Sequence, residues 1–112
     1  MKRYDDQRLN DIVIAIGAIR DHLRRGDLSD GLVFDAVRIR ILEIGEAIKA
    51  LSPRLLATEP TIPWKQIAAM RDQLAHRYFD TSHAIVTATV GSDLDELEAA
   101  VARLIGRPHS DP

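Results

Sequence analysis

The sequence contains no cysteine and very few aromatic residues. Of its 112 residues, 4% are Phe, Trp or Tyr, whereas 46% are hydrophobic. Disulfide bonds and thiolate metal sites are therefore excluded. The core must be built from Ile, Leu, Val and Ala. Because an absence of cysteine suits a reducing compartment, we expect a cytoplasmic protein.

Long apolar runs are missing as well. No stretch approaches the roughly 20 apolar residues that span a bilayer, so no membrane insertion is expected. The polar amino terminus also lacks the apolar stretch of a secretion signal. A formal net charge of −2 gives no overall attraction to nucleic acid, so any RNA binding must come from a local basic patch. The length predicts one domain, residues 1–112.

Hydrophobic residues recur at helical spacing along most of the chain. The pattern predicts helices over about 5–25, 29–51 and 63–79, and a last helical region over about 82–105 with a kink near 91–93. Asp27 or Ser29 is expected to cap the second helix, and Pro63 to open the third. No alternating strand pattern or Asn-Gly hairpin is present. The sequence therefore predicts an all-α protein, a four- to five-helix up-and-down bundle.

The same spacing assigns the buried faces. The first helix is expected to bury Leu9, Ile12, Val13, Ile16, Ile19 and Leu23. The second is expected to bury Val33, Val37, Ile41, Ile44, Ile48 and Leu51. Phe34, Ile39 and Leu42 lie away from that stripe, so the second helix is apolar around most of its circumference. Such a helix is either central in the bundle or covered by a second chain. Since so small a domain has little centre, we favour a homodimer contact.

The third helix concentrates the reactive side chains. Its apolar stripe consists of Trp64, Ile67, Met70 and Leu74. Two turns of the same helix carry Arg71, Asp72, His76, Arg77 and Tyr78. No group of His, Asp and Glu has the spacing of metal ligands, and no glycine-rich phosphate loop is present, so neither a metal nor a cofactor is expected.

Helix geometry limits what these residues can do together. At about 100° per residue, Arg71 and Tyr78 lie nearly in line, whereas His76 lies about 140° round from Arg71. Asp72 precedes His76 by four residues, within reach to hold its ring or favour its charged form. One helix alone makes an awkward active site. Two copies related by a two-fold axis would bring Arg71 and His76 of both chains to one cleft.

Arginine with histidine, without a metal, suits RNA cleavage. Histidine can take the proton of the ribose 2′-OH or give one to the leaving 5′-oxygen. Arginine can bind the phosphate and neutralise its growing charge. The product would carry a 2′,3′-cyclic phosphate. From the residues alone, a salt-bridged surface is the competing interpretation.

Beyond its residue types, the run Arg71-Asp72-Gln73-Leu74-Ala75-His76-Arg77-Tyr78 resembles the Arg-x4-6-His-x-Tyr signature of the HepT-like toxins, a branch of the HEPN superfamily. Ile44-Gly45-Glu46-Ala47 on the second helix and Ile62-Pro63-Trp64 before the third match as well. The similarity extends from the first helix to about residue 105. It implies a HEPN-like helical homodimer whose two motifs form a composite cleft with metal-independent endoribonuclease activity.

The resemblance also implies individual roles. Arg71 and His76 would be catalytic, and Asp72 would support them. Glu46 is a weaker inference, because from the sequence alone a carboxylate in this position is more often solvated than part of a site. Arg77 would be a candidate phosphate contact.

Partners are implied in the same way. HepT-like toxins are usually paired with a small MNT-type nucleotidyltransferase antitoxin, and Tyr78 looks like the tyrosine that accepts AMP groups in that pairing. The competing hypothesis is a non-catalytic helical module that dimerises and recruits a nucleotidyltransferase or a nucleotide.

Overall fold

The structure, a computed structural model, describes residues 3–75 and 79–106. Its elements are α1 (Arg3–Arg25), α2 (Gly31–Ala50), α3 (Pro53–Leu56), α4 (Trp64–Ala75), α5 (Phe79–Ala88), a π-helical turn (Thr89–Asp93) and α6 (Leu94–Gly106). Strands do not occur in the described residues, and the predicted all-α class is confirmed. Within the same residues, no helix combines the length and the apolar character needed to cross a membrane.

A buried carboxylate joins the start of α1 to the end of α2. Asp5 is 2% exposed and accepts hydrogen bonds from the backbone N–H of Ser52, at 3.1 Å, and from its hydroxyl, at 2.7 Å. Ser52 comes two residues after the end of α2. The two long helices therefore run antiparallel, and the bonds satisfy a carboxylate that would be costly to bury without partners.

Helix α2 lies at the centre of the bundle, in contact with α1, α4 and α5. The buried stripe predicted for it is observed in full, from Val33 to Leu51. Most of the apolar surface of α2 is thus covered by other helices of the same chain. This is the central position in the bundle that the sequence analysis gave as the alternative to a dimer contact. One side stays open, because Ile39 is 44% exposed. The homodimer remains a prediction that concerns this open side.

The cap of α2 differs from the one predicted. Asp30, rather than Asp27 or Ser29, is the N-cap, and its side chain accepts from the N–H of Leu32 at 2.9 Å. Asp27 instead accepts from the backbone N–H and the hydroxyl of Ser29. The three polar residues thus form a turn followed by a cap, and only the residue next to the helix can reach its free N–H groups.

The core is aliphatic, as the composition requires. Its most fully buried large side chains are Leu9, Ile12, Ile16, Ile19, Val37, Ile41, Ile44, Leu74, Val86, Val101 and Leu104. Val13, predicted to be buried, is 42% exposed. It lies about 100° round α1 from Ile12, which takes it past the edge of the packed stripe.

The carboxyl-terminal region stays helical through its polar interruption. Where a kink was predicted near 91–93, the chain widens into the π-helical turn, and Ala88 and Leu94 on either side keep right-handed helical backbone angles. The hydroxyl of Thr89 donates to the carbonyl of Ile85 at 2.8 Å, and that of Ser92 donates to the carbonyl of Ala88 at 3.2 Å. A wider turn accommodates one extra residue without ending the helix.

The third predicted helix, 63–79, is represented by α4, which begins at Trp64, directly after Pro63. Its last described residue is Ala75, and α5 begins at Phe79. His76, Arg77 and Tyr78 lie outside the described residues.

Candidate active site

Arg71 projects from α4 between two carboxylates. Its Nε forms an ion pair with Glu46 of α2, and its Nη1 donates to Asp72 at 3.1 Å. The side chain of Arg71 is 40% exposed, so the guanidinium is held at the surface rather than sealed in the core. These contacts use Nε and Nη1, and a guanidinium carries two further N–H donors on Nη2.

The electrostatics of this cluster fix the charge of Arg71. The hydrogen bond to Asp72, followed by the hydrogen bond to Glu46, raises the pKa of the Arg71 guanidinium above its already high value. Arg71 therefore stays cationic throughout the neutral range. Two carboxylates beside one guanidinium leave this local group anionic by one charge, so a bound phosphate would be attracted by Arg71 and repelled by Glu46 and Asp72.

Gly45 determines how closely α4 approaches α2. A Cβ placed on Gly45 would lie 2.9 Å from the Cβ of Arg71, and 3.5 Å from the carbonyl oxygens of Ile67 and Ala68. Only a residue without a side chain fits this crossing. Gly45 thus permits a close backbone approach, and the approaching helix is the one that carries Arg71. The same close contact brings Glu46, the next residue, to the guanidinium.

A groove of about 720 Å³ opens beside Arg71. Its walls come from α1, α2 and α4, and they combine exposed apolar side chains with ion pairs. The exposed apolar side chains are those of Tyr4, Ile14 and Ile39, at 54%, 58% and 44% exposure.

Two arginine–carboxylate pairs, each within one helix, line the same groove. Arg8 bonds to Asp11 at 2.9 Å, with its guanidinium 4.7 Å from the centre of the Tyr4 ring. Arg40 bonds to Glu43 at 3.0 Å. Since both cations are already paired locally, the groove has mixed apolar and polar walls and no excess positive charge.

The end of α4 is held by a residue that sequence reasoning missed. Arg38 of α2 donates from Nη1 to the carbonyl oxygen of Leu74 at 3.1 Å. Leu74 is fully buried, and its carbonyl lies in the last turn of α4, where cations are favoured. The available signal was spacing, because Arg38 precedes Gly45 by seven residues and so shares its side of the helix.

Helix α5 also contacts α2. The ring of His83 stacks on that of Phe34, with centroids 5.2 Å apart and planes inclined by 20°. Within residues 3–75 and 79–106, no three His, Asp or Glu side chains form a metal-binding group.

The structure thus places three of the six predicted site residues. Arg71, Asp72 and Glu46 form one contact cluster, which gives the weakest inference, Glu46, a direct partner. His76, Arg77 and Tyr78 lie outside the described residues, so their distances from this cluster stay predictions.

A family model named ribonuclease HepT-like matches residues 11–104 of the chain. The chain belongs to the HepT-like ribonuclease family. The resemblance drawn from the sequence is thereby confirmed.

Individual relatives support the same membership. The probable ribonuclease HepT of Thermococcus cleftensis is 35% identical over 108 residues, which cover 93% of this chain and 98% of that protein. A candidate RNase of Caldanaerobacter subterraneus subsp. tengcongensis is 40% identical over 68 residues, 60% of this chain and 61% of the relative. A candidate RNase of Methanocaldococcus jannaschii is 38% identical over 73 residues, 61% of this chain and 60% of the relative. This HepT-like chain thus matches about three fifths of the last two relatives, and no solved structure matches it significantly.

Proposed function

We propose that this HepT-like chain is a metal-independent endoribonuclease and the toxin of a toxin–antitoxin pair, acting in the cytoplasm. The observation that carries the proposal is the surface cluster of Arg71, Asp72 and Glu46 on a chain of a ribonuclease family. A fixed cation at the rim of an open groove is the element that a phosphodiester requires.

In the proposed reaction, His76 takes the proton from the ribose 2′-OH, and the 2′-oxygen attacks the adjacent phosphorus. The P–O5′ bond breaks as a 2′,3′-cyclic phosphate forms, and the 5′-oxygen receives a proton from an imidazolium. Arg71 binds the phosphate through its free donors and stabilises the added charge of the pentacovalent state. Asp72 supports His76, and Arg77 contacts a neighbouring phosphate.

The acidic neighbours of Arg71 have a role in this scheme. Glu46 and Asp72 hold the guanidinium in one orientation before RNA arrives, which reduces the ordering that binding requires. Once phosphate is bound, either carboxylate can release its N–H donor without changing the charge of Arg71. Glu46 is therefore proposed as a supporting residue.

We further propose that the site is completed by a homodimer. The groove beside Arg71 exposes Tyr4 and Ile14 of α1 and Ile39 of α2, and several exposed large apolar side chains lining one groove are a feature of interaction surfaces. A second copy seated there by a two-fold axis would bring the two motif helices to one cleft. The proposed partner thus contributes the second Arg71 and His76.

Silencing is proposed to occur by nucleotide transfer. An MNT-type nucleotidyltransferase antitoxin would join the AMP unit of ATP to the phenol oxygen of Tyr78, releasing pyrophosphate and the phenolic proton. A bulky anionic nucleotide beside the cleft would fill it and repel RNA phosphates.

Cleavage of a fluorescent single-stranded RNA by the purified chain tests the reaction. Arg71→Ala is expected to lower the rate at least 100-fold, by analogy with the loss of one charge-stabilising donor. His76→Ala is expected to lower it about 100- to 10,000-fold. The matched control is Arg24→Ala, because Arg24 is also surface-exposed and paired but lies at the end of α1. Excess EDTA should leave the rate unchanged, and the new 3′ end should be one water lighter than a linear phosphate.

The competing hypothesis, a non-catalytic helical module, predicts a different outcome. If folded His76→Ala protein cleaves RNA and arrests growth as the wild type does, the nuclease proposal fails. Binding of a nucleotidyltransferase without any cleavage by the wild-type chain would favour the recruiting module instead.

Mixing inactive variants tests the composite cleft. Refolding Arg71→Ala and His76→Ala chains together yields mixed dimers in which one arginine and one histidine remain. Activity in the mixture, absent from either variant alone, would support a site shared between protomers. A mixture as inactive as its components would contradict it.

Intact mass after co-expression with a neighbouring small nucleotidyltransferase tests silencing. Mass gains in multiples of an AMP unit that disappear in Tyr78→Phe are expected, and an unmodified chain would contradict the transfer.

A further inference from the structure

A second groove, of about 490 Å³, lies at the opposite end of α4 from the motif. α3 contributes Pro53 and Leu56, the following loop contributes Pro60 and Pro63, and Trp64 lies at the base. We call this the proline groove. It shares no lining residue with the groove beside Arg71.

The walls of the proline groove are already fixed in the free chain. The indole N–H of Trp64 donates to the carbonyl oxygen of Glu59 at 3.0 Å. The carboxylate of Glu59 in turn accepts two bonds from Arg103 of α6, at 3.0 and 2.8 Å. Prolines at the rim lack N–H donors and have a fixed φ angle. A ligand would therefore meet a preformed, mostly apolar surface and would lose little affinity to ordering the protein.

One end of the groove favours negative charge. Lys65 and Gln66 line it from the first turn of α4, and both are exposed. Their backbone N–H groups, at the positive end of a 12-residue helix, donate to no acceptor among the described residues. The carboxylate of Glu59, whose carbonyl oxygen accepts from Trp64, is paired with Arg103.

These features define the chemistry of an occupant. An extended peptide can lay an apolar side chain over Leu56 and Trp64 and place an adjacent carboxylate on Lys65 and the start of α4. The positive charge of Lys65 and the helix end would also attract RNA. RNA, however, has no aliphatic side chain to pack on the apolar surface of the groove. The complementarity therefore selects an acidic–apolar protein segment.

The position of the groove suggests which protein supplies that segment. Lys65 and Arg71 are six residues apart on one helix, about 9 Å along its axis. A partner held at the proline groove would be tethered to the helix that carries the motif, yet would leave the groove beside Arg71 free. This arrangement suits an enzyme that modifies a side chain near the motif.

We propose that the proline groove is the docking site of the nucleotidyltransferase antitoxin, and that it binds an extended segment in which an apolar residue adjoins Asp or Glu. This inference rests on the antitoxin pairing proposed above. It adds a contact that is separate from the modified residue and from the catalytic cluster.

Binding of a purified small MNT-type nucleotidyltransferase tests the inference. Lys65→Glu should weaken the dissociation constant at least tenfold by isothermal titration calorimetry, and Gln66→Glu should weaken it severalfold. Both substitutions place a carboxylate in the first turn of α4, where the helix dipole favours it, so the fold should be retained. RNA cleavage by Lys65→Glu without antitoxin should match that of the wild type.

Lys49→Glu is the matched control, because Lys49 is an exposed lysine in the last turn of α2 and does not line the proline groove. It makes the same charge change at a helix end where an anion is unfavourable. Weaker binding by Lys65→Glu but not by Lys49→Glu therefore cannot reflect lost stability.

Three outcomes would overturn the inference. Equal binding by wild type and Lys65→Glu would show that the antitoxin binds the chain, but at a surface other than the proline groove. No binding by the wild type would remove the antitoxin pairing itself, while the cleavage assay would still judge the nuclease. A change in the sedimentation of the chain alone on Lys65→Glu would mark the groove as a contact between copies.

Discussion

The substitution Gly45→Ala tests whether the crossing of α2 and α4 positions the site. The added Cβ would lie 2.9 Å from the Cβ of Arg71, whereas non-bonded carbons ordinarily lie about 3.5–4.0 Å apart. Because the opposing atom is a Cβ close to the backbone, a rotamer change cannot relieve the contact. α4 has to move away by roughly 0.6–1 Å.

Two opposing terms set the size of the effect. Replacing glycine by alanine inside a helix stabilises it by about 0.5–1 kcal/mol, because the unfolded chain loses freedom. Overpacking a tight contact costs about 1–3 kcal/mol. Gly17→Ala on α1 isolates the first term, because nothing lies within 4 Å of its added Cβ. We therefore expect Gly45→Ala to be about 1–3 kcal/mol less stable than Gly17→Ala.

Urea unfolding of both variants and the wild type gives the comparison, with equal slopes required for a valid difference. Cleavage should separate the variants further. A shift of about 1 Å in a catalytic group can cost about 100-fold in rate, so Gly45→Ala should lose activity while Gly17→Ala should not. If both alanine variants gain the same stability and keep full activity, the argument that Gly45 sets the position of Arg71 is wrong.

Three further predictions concern other parts of the chain. Ser52→Ala should lower the free energy of unfolding by about 1–3 kcal/mol, since Asp5 would lose a hydroxyl donor while buried; an unchanged urea midpoint would refute this. Glu46→Gln should slow cleavage with little change in melting temperature. The carboxylates raise the pKa of Arg71, so Arg71 stays protonated and paired throughout the neutral range and loses its proton only at strongly alkaline pH. The pH–rate profile of Glu46→Gln near neutrality should therefore keep the shape of the wild-type profile, and a new titration step there would contradict this reasoning. Ile39→Glu should shift the chain to monomer in sedimentation experiments and reduce cleavage, whereas an unaltered dimer would place the interface elsewhere.

Much of the fold followed from periodicity. Apolar spacing gave the all-α class and the buried stripe of α2, because a 3.6-residue repeat leaves few other ways to bury those side chains. Val13 was misassigned since periodicity alone does not give the width of the packed face. The cap at Asp30 was missed because three polar residues precede α2 and only geometry decides which one reaches its free N–H groups.

Some residues of the candidate site were also predictable from the sequence, and others were not. Arg71 and Asp72 stood out by residue type and by the family motif they share with His76. Arg38 did not, because its contact with Leu74 joins residues 36 positions apart.

The sequence by itself determined which side chains are present, which faces are apolar and which family the motif resembles, since these depend on order and spacing along one helix. Tertiary structure decided that α2 lies at the centre, that Gly45 lets α4 come close, and that Glu46 thereby meets Arg71. Contacts between helices depend on how closely two surfaces fit, and that fit is set by the packing of the whole core rather than by any local run of residues.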